Sequence, residues 1–169
     1  MPGIGITIDA SEAAILARAW DAAPAIVETE LRAAMTEATA YLQRETQERT
    51  PVAFGTLRAS IAAREPQVLA DQVLGVVGTP LAYAEAVELG TRPHFPPIQP
   101  LQDWVQAKLG IADEDESRQV AFAVARKIAR SGTKGAFMFT EAFKAGEPQV
   151  QRIFARCRER IVARLGWEA

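Results

Sequence analysis

The sequence predicts an α+β fold: a long N-terminal helix, a small antiparallel β-sheet and additional C-terminal helices. Three observations carry this. Between Val27 and Leu42 apolar residues recur at spacings of three and four. Between Leu57 and Val77 the period drops to two, and after Pro100 the helical period returns. The 169 residues are read as a single domain, long enough to bury a core. Its parts are an arm and short helix (1–23), a helix plus β-hairpin core (24–99) and a helical part (100–169).

Composition narrows the function classes. Hydrophobic residues make up 49% and charged residues 24%, an ordinary globular balance. The net charge of −2 lacks the basic surplus that gripping a phosphate backbone requires. One cysteine, Cys157, permits no intramolecular disulfide. No apolar run is long enough to span a bilayer, so no membrane is expected as a partner. The segment from Met1 to Ile6 has neither a basic stretch nor a long apolar one, so no secretory leader is expected.

Taken in order, Ile4 to Ile8 alternate and predict a short strand or ordered arm. Ser11 is placed to cap a short helix reaching about Trp20. Ala22-Ala23-Pro24 predicts a break, with Pro24 opening the next helix. That helix carries Val27, Leu31, Ala34, Met35, Ala38, Tyr41 and Leu42 on one face and ends near Arg49, before Pro51. Leu57, Ala59, Ile61 and Ala63 then alternate, as do Val73, Gly75 and Val77, with turn residues between them. The prediction is an antiparallel hairpin. Ala82 to Leu89 forms one or two helical turns, with Gly90 as a left-handed terminator. Four prolines from Pro93 to Pro100 predict a stiff extended loop.

A helix over Pro100 to Leu109 presents Leu101, Trp104, Val105 and Leu109. Acidic residues 113–116 open another helix, striped by Val120, Val124 and Ile128 and closed by Arg126, Lys127 and Arg130; both charge placements suit the macrodipole. Residues 131–135 predict a flexible loop, and Phe137, Met138, Phe139 and Phe143 an aromatic patch. Gly146-Glu147-Pro148 predicts a break before a last helix, on which Ile153, Cys157, Ile161 and Leu165 step by four.

Catalytic signatures are sparse. His94 is the only histidine, which excludes any two-histidine metal site, and no nucleophile-elbow, Walker A or zincin pattern occurs. No cofactor is implied. His94 with Cys157 is the one imidazole–thiol pair that a thiol-dependent hydrolase would have. The plainer reading has His94 packing in a proline loop and Cys157 acting as a small buried hydrophobe. The four residues 113–116 point in different directions on a helix, which favours helix-start stabilisation over a cation site.

Arg152, Arg156, Arg160 and Arg164 form a stripe with three readings: a solvated face, a contact with the acidic cluster of a neighbouring copy that closes a ring, or a surface facing DNA in a channel.

The central stretch resembles a known family. Thr50-Pro51, then Phe54-Gly55-Thr56-Leu57-Arg58-Ala59-Ser60-Ile61, then Gly78-Thr79-Pro80-Leu81-Ala82-Tyr83-Ala84, then Val87-Glu88-Leu89-Gly90-Thr91 and a proline-rich segment resemble the neck, tail-completion and minor tail proteins of long-tailed bacteriophages. Their usual form is T-P-x-D/R-T-G-x-L-R-x-S-I followed by Y-A-x-x-V-E-x-G-T. Here Ala53-Phe54-Gly55-Thr56 shifts the threonine–glycine order. Residues 135–143 are similar to the family's aromatic-rich closing motif, so the resemblance covers roughly residues 24–165.

It implies a long helix packed on a small antiparallel sheet and a non-enzymatic virion protein forming a neck or tail-completion ring at the head–tail junction. A tail terminator or other minor tail protein is the alternative within the family. The partners implied are other copies in a six-fold homo-oligomeric ring and the adjacent head-closure or connector and tail terminator or tail-tube proteins. DNA would pass through without specific binding. The location implied is the virion, after assembly in the host cytoplasm. The segment from Pro100 to Arg130 is longer than a minimal member needs and is read as an added outer element for contact with a neighbouring ring.

Candidate assembly residues are Arg58, Tyr83, Glu88, Arg92, His94 and Phe95, together with Arg152, Arg156, Arg160 and Arg164. Tyr83 and Glu88 are expected to lock the short helix against the sheet.

Overall fold

The computed structural model describes residues 10–68 and 72–165, without the side chains of 10–22 and Val68. The strand expected at Ile4–Ile8 lies outside these residues. In chain order the elements are α1 (Ala10–Arg49), α2 (Thr56–Ser60), β1 (Ala62–Ala63), β2 (Gln67–Val68), β3 (Val73–Leu74), β4 (Val77–Gly78), α3 (Ala84–Leu89), β5 (Gly90–Thr91), α4 (Ile98–Leu109), α5 (Glu114–Ser131), β6 (Thr133–Lys134) and α6 (Met138–Arg164). The fold is α+β, dominated by helix, with small two-stranded antiparallel sheets. Two compact units are present. One comprises the chain up to Thr39, Glu65–Val76 and the chain from Pro148. The other comprises Ala40–Arg64 and Val77–Glu147.

Two expected breaks are absent. The helix is continuous through Pro24, so no separate short helix precedes it. From Glu30 onward buried positions step by four through Glu30, Ala34, Ala38, Leu42 and Thr46 to Thr50 just past the end of α1, with Thr39 buried beside Ala38. Thr46 and Thr50 survive burial because their hydroxyls donate to the carbonyls of Leu42 and Thr46, four residues back. α6 likewise continues through Gly146-Glu147-Pro148. A Cβ on Gly146 would lie 2.7 Å from Leu42 Cδ2, so this glycine is a packing notch rather than a terminator. An interior proline costs about 3 kcal/mol. Burial of Met138 on one side of Pro148 and of Ile153 on the other offsets that, at about 1.5–3 kcal/mol for each large side chain.

In the first unit, Ala34 and Ala38 of α1 pack with Ile153 and Cys157 of α6, flanked by Leu31, Val150, Phe154 and Ile161. Small residues on one helix admit larger ones from the other. β2 and β3 form a two-stranded antiparallel pair in the register Gln67↔Leu74 and Val68↔Val73. Gly75 lets this ribbon approach α1, since a Cβ there would overlap Met35 and Thr39. Arg32 donates to the Pro66 carbonyl at 2.9 Å and pairs with Glu28.

In the second unit, Leu57, Ala84 and Met138 form a core with Leu81, Val87 and Phe139 against it. The first expected strand is corrected: Thr56–Ser60 is a helical turn, and only Ala62–Ala63 is extended. Gly55 starts the turn at φ 81°, and its carbonyl accepts from the Ala59 N–H. Leu57 and Ile61, the two buried residues, are four apart, which fits a helical turn as well as alternation. The second strand is also split, since Val73–Leu74 pairs with β2 whereas Val77–Gly78 pairs with β1.

Residues 131–135, expected as a loop, contain β6, which pairs with β5. Gly90 has φ 79° and ψ −176°, so it opens β5 instead of ending α3 in the left-handed helical region.

α4 packs against α5. Buried on α5 are Ser117, Ala121 and Ala125; the last two follow directly on the expected Val120 and Val124, which are half-buried, as is Ile128. Small residues let the helices approach, and the Ser117 hydroxyl accepts from the Gln102 and Gln106 amides at 3.2 Å. Val105 is fully buried as expected, whereas Leu109 is exposed. Asp113 caps α5 by accepting from the Glu116 N–H at 2.8 Å, ahead of an acidic first turn.

Candidate functional site

The residues from Pro51 to Gly55 lie between α1 and α2 and cannot continue either helix. Pro51 disfavours helical geometry at the residue before it, and Gly55 takes a positive φ. The loop therefore presents Val52 and Phe54 outward, and Phe54 is 64% exposed. Pro96, Pro97 and Pro100 form the stiff run into α4, on which Leu101 and Trp104 follow. Val87 comes from α3 and Tyr83 caps its start. Together these residues line a groove of about 740 Å³, with Lys108 at its border. Lys108 Nζ donates to the Val52 carbonyl at 3.1 Å and so ties the loop to α4.

The lining contains no carboxylate, imidazole or thiol, so it offers no general acid–base pair. What it offers is exposed aromatic and proline surface on elements held from behind, which suits contact with another apolar surface.

Glu88 supplies the hold. It is the fifth residue of six-residue α3, and its carboxylate accepts from the Phe139 N–H at 2.9 Å, the Thr140 N–H at 2.9 Å and the Thr140 hydroxyl at 2.7 Å. It thus caps the N-terminus of α6 from 51 residues away in sequence. The carbonyls of Val87 and Glu88 accept from Ala136 and Phe137, so both ends of the junction are satisfied. Partial burial pushes the Glu88 carboxyl up, but these donors outweigh it and hold the pKa below the ordinary value. Glycines make the crossing possible. A Cβ on Gly132 would overlap the Thr91 carbonyl, and one on Gly135 the Glu88 carbonyl. Phe137 takes a left-handed φ of 51° between β6 and α6.

The expected assembly residues divide. Tyr83 is 49% exposed and lines the groove, while Glu88 anchors α3 to α6; the expected lock against the sheet is thus a helix-to-helix lock. Arg58 is exposed near the end of α2, and Arg92 and Phe95 are exposed beside the proline run, outside the groove lining. His94 Nδ1 lies 2.9 Å from the Arg92 carbonyl, a contact local to its loop.

The arginine stripe faces acids of its own chain. Arg160 Nε and Arg164 Nη1 donate to the two oxygens of Glu30 at 2.6 and 2.9 Å, and Arg156 to Glu37 at 2.6 Å. Arg152 donates to the Gln149 side chain. Hydrogen bonds from Arg160 and Arg164 pull the Glu30 pKa down, and Glu30 in turn raises that of Arg160.

The aromatic patch is likewise divided: Met138 is buried, Phe139 packs on the core, and Phe137 and Phe143 are exposed. Cys157 is buried among alanines and Ile153, and desolvation raises its thiol pKa, the opposite of an activated nucleophile. No group of three or more potential metal ligands occurs among the described residues. No helix among them is long and apolar enough to cross a membrane.

Reading single motifs missed the groove-lining Phe54 and Trp104. The available signal was an apolar residue in a loop bounded by Pro51 and Gly55, paired with a second proline-rich loop downstream.

No curated protein and no solved structure matches the chain. Residues 14–90 match the family model described as "Bacteriophage HK97-gp10, putative tail-component". The matched stretch ends with the closing Gly90 of the Val87-Glu88-Leu89-Gly90 motif. Over residues 14–90 the chain is therefore similar to the HK97-gp10-like bacteriophage tail components, the kind of family that its central motifs resemble.

Proposed function

We propose that this chain is a structural virion protein of a tailed bacteriophage or phage-like particle, forming a neck or tail-completion ring at the head–tail junction. The similarity of residues 14–90 to phage tail components carries this reading. The apolar groove supports it: an exposed Phe54, Tyr83 and proline run on anchored helices suits a joint between proteins better than a reaction centre. The ring consists of copies of this chain, six-fold in keeping with tails. Its neighbours are head-closure or connector proteins on one side and tail terminator or tail-tube proteins on the other, and DNA passes through without specific contacts.

The test is complementation of a particle lacking the gene. Phe54→Asp and Tyr83→Asp leave heads and tails forming separately and reduce joined particles at least tenfold. Full joining by both variants, each confirmed folded, contradicts the role of the groove.

A further inference from the structure

Arg156, Arg160 and Arg164 are neutralised within the chain, whereas one face of α5 carries three cations that no carboxylate of the described residues pairs with. Arg126, Lys127 and Arg130 line a dent near its C-terminal end with Ala123. Among the described residues no carboxylate pairs with these three, and no cation pairs with Asp115 or Glu116 at the other end. All five charged residues and Ala123 are exposed, whereas Ser117, Ala121 and Ala125 face inward. The outward face of an 18-residue helix, about 27 Å long, thus reads acid, then Gln119 and Ala123, then base along its length, with exposed Arg118 and Phe122 at its edge. Helix-dipole stabilisation explains the sign at each end, but not the lack of partners for three adjacent cations.

We propose that this face binds the same face of a second copy, with the two α5 helices antiparallel about a twofold axis near Ala123. Glu116 of each copy then lies opposite Arg130 of the other, with Asp115 just beyond it and Arg126 and Lys127 nearer the axis. One partner satisfies both ends at once, and the small side chain at the centre allows close approach. The occupant follows from charge complementarity: the face is its own complement when reversed. This contact is separate from the head-to-tail contacts that close a ring, and it does not rest on that reading.

The experiment is oxidative cross-linking of the full chain carrying Ala123→Cys, read as a two-chain species on a denaturing gel. The native Cys157 is buried and contributes no background. Antiparallel pairing brings residue 123 beside its counterpart, so a covalent dimer forms at low salt and declines at high salt. Reversing the basic end (R126E, K127E and R130E) or the acidic end (D115K and E116K) in the cysteine variant lowers the yield at least tenfold. Mixing the two reversed proteins restores it. The neutral pair Asp115→Asn and Glu116→Gln, which keeps helix-start repulsion low, also lowers the yield and covers any reversal that fails to fold. Absence of the dimer at low salt, or a yield unaffected by these changes, overturns the proposal. An assembly that persists by light scattering without the cross-link sinks only this contact and leaves the ring.

Discussion

Glu88 ties together two segments about fifty residues apart, and its three hydrogen bonds set its charge. Because its folded pKa lies below the ordinary 4.5, its contribution is present above that value and is lost as pH falls through the folded pKa. The same sign holds for Glu30, held down by Arg160 and Arg164. Thermal stability is therefore flat near neutral pH and falls below about pH 4.5. Glu88→Gln lowers stability by about 1 kcal/mol, the scale of a lost N-cap, and flattens part of that acid limb; thermal melts from pH 7 to 3 check both. Cys157 makes the opposite case. Its thiol stays unreactive toward a thiol reagent until the chain unfolds, and Cys157→Ser costs about 1–3 kcal/mol by burying a hydroxyl. Thiol labelling against denaturant concentration measures the first.

The sequence displayed Glu88 within its motif but not its partners, because a cap supplied from 51 residues away leaves no local spacing to detect. The arginine stripe was fully legible. Its acids were not, since Glu30 and Glu37 sit on another helix and are assigned only by packing.

At the scale of elements, periodicity located the long helix, the proline run, the acidic helix start and the last helix. It failed where glycine and proline were taken as punctuation. Gly146 is where two helices approach and not a chain stop; Gly75, read only as a strand residue, is where a ribbon meets a helix. Gly146→Val places methyl groups against Leu42 and Tyr41 and costs about 1–3 kcal/mol. Adding Leu42→Ala makes room and recovers part of the loss, which a double-mutant cycle of urea unfolding measures. Period two also misled between Leu57 and Ala63, because Leu57 and Ile61 satisfy both periods and the intervening alanines and serine discriminate weakly. The buried stripe of α5 fell on serine and alanines instead of valines because close helix packing selects small side chains.

For the molecule as a whole, the groove gathers residues from three parts of the chain that sequence order keeps apart: the loop at 51–55, α3, and the proline run with α4. Motif resemblance pointed to the kind of family that residues 14–90 match without revealing this surface. The mostly apolar lining, the buried thiol and the loop-bound histidine fit the proposed assembly role for a chain whose residues 14–90 are similar to phage tail components. That role is tested most directly by quantifying the chain in purified particles of the phage or prophage that encodes it, relative to the portal protein. The account predicts a fixed, low copy number, about six per particle by the symmetry common to tails, lost together with head–tail joining in Phe54→Asp. Purified infectious particles that lack the chain would contradict it.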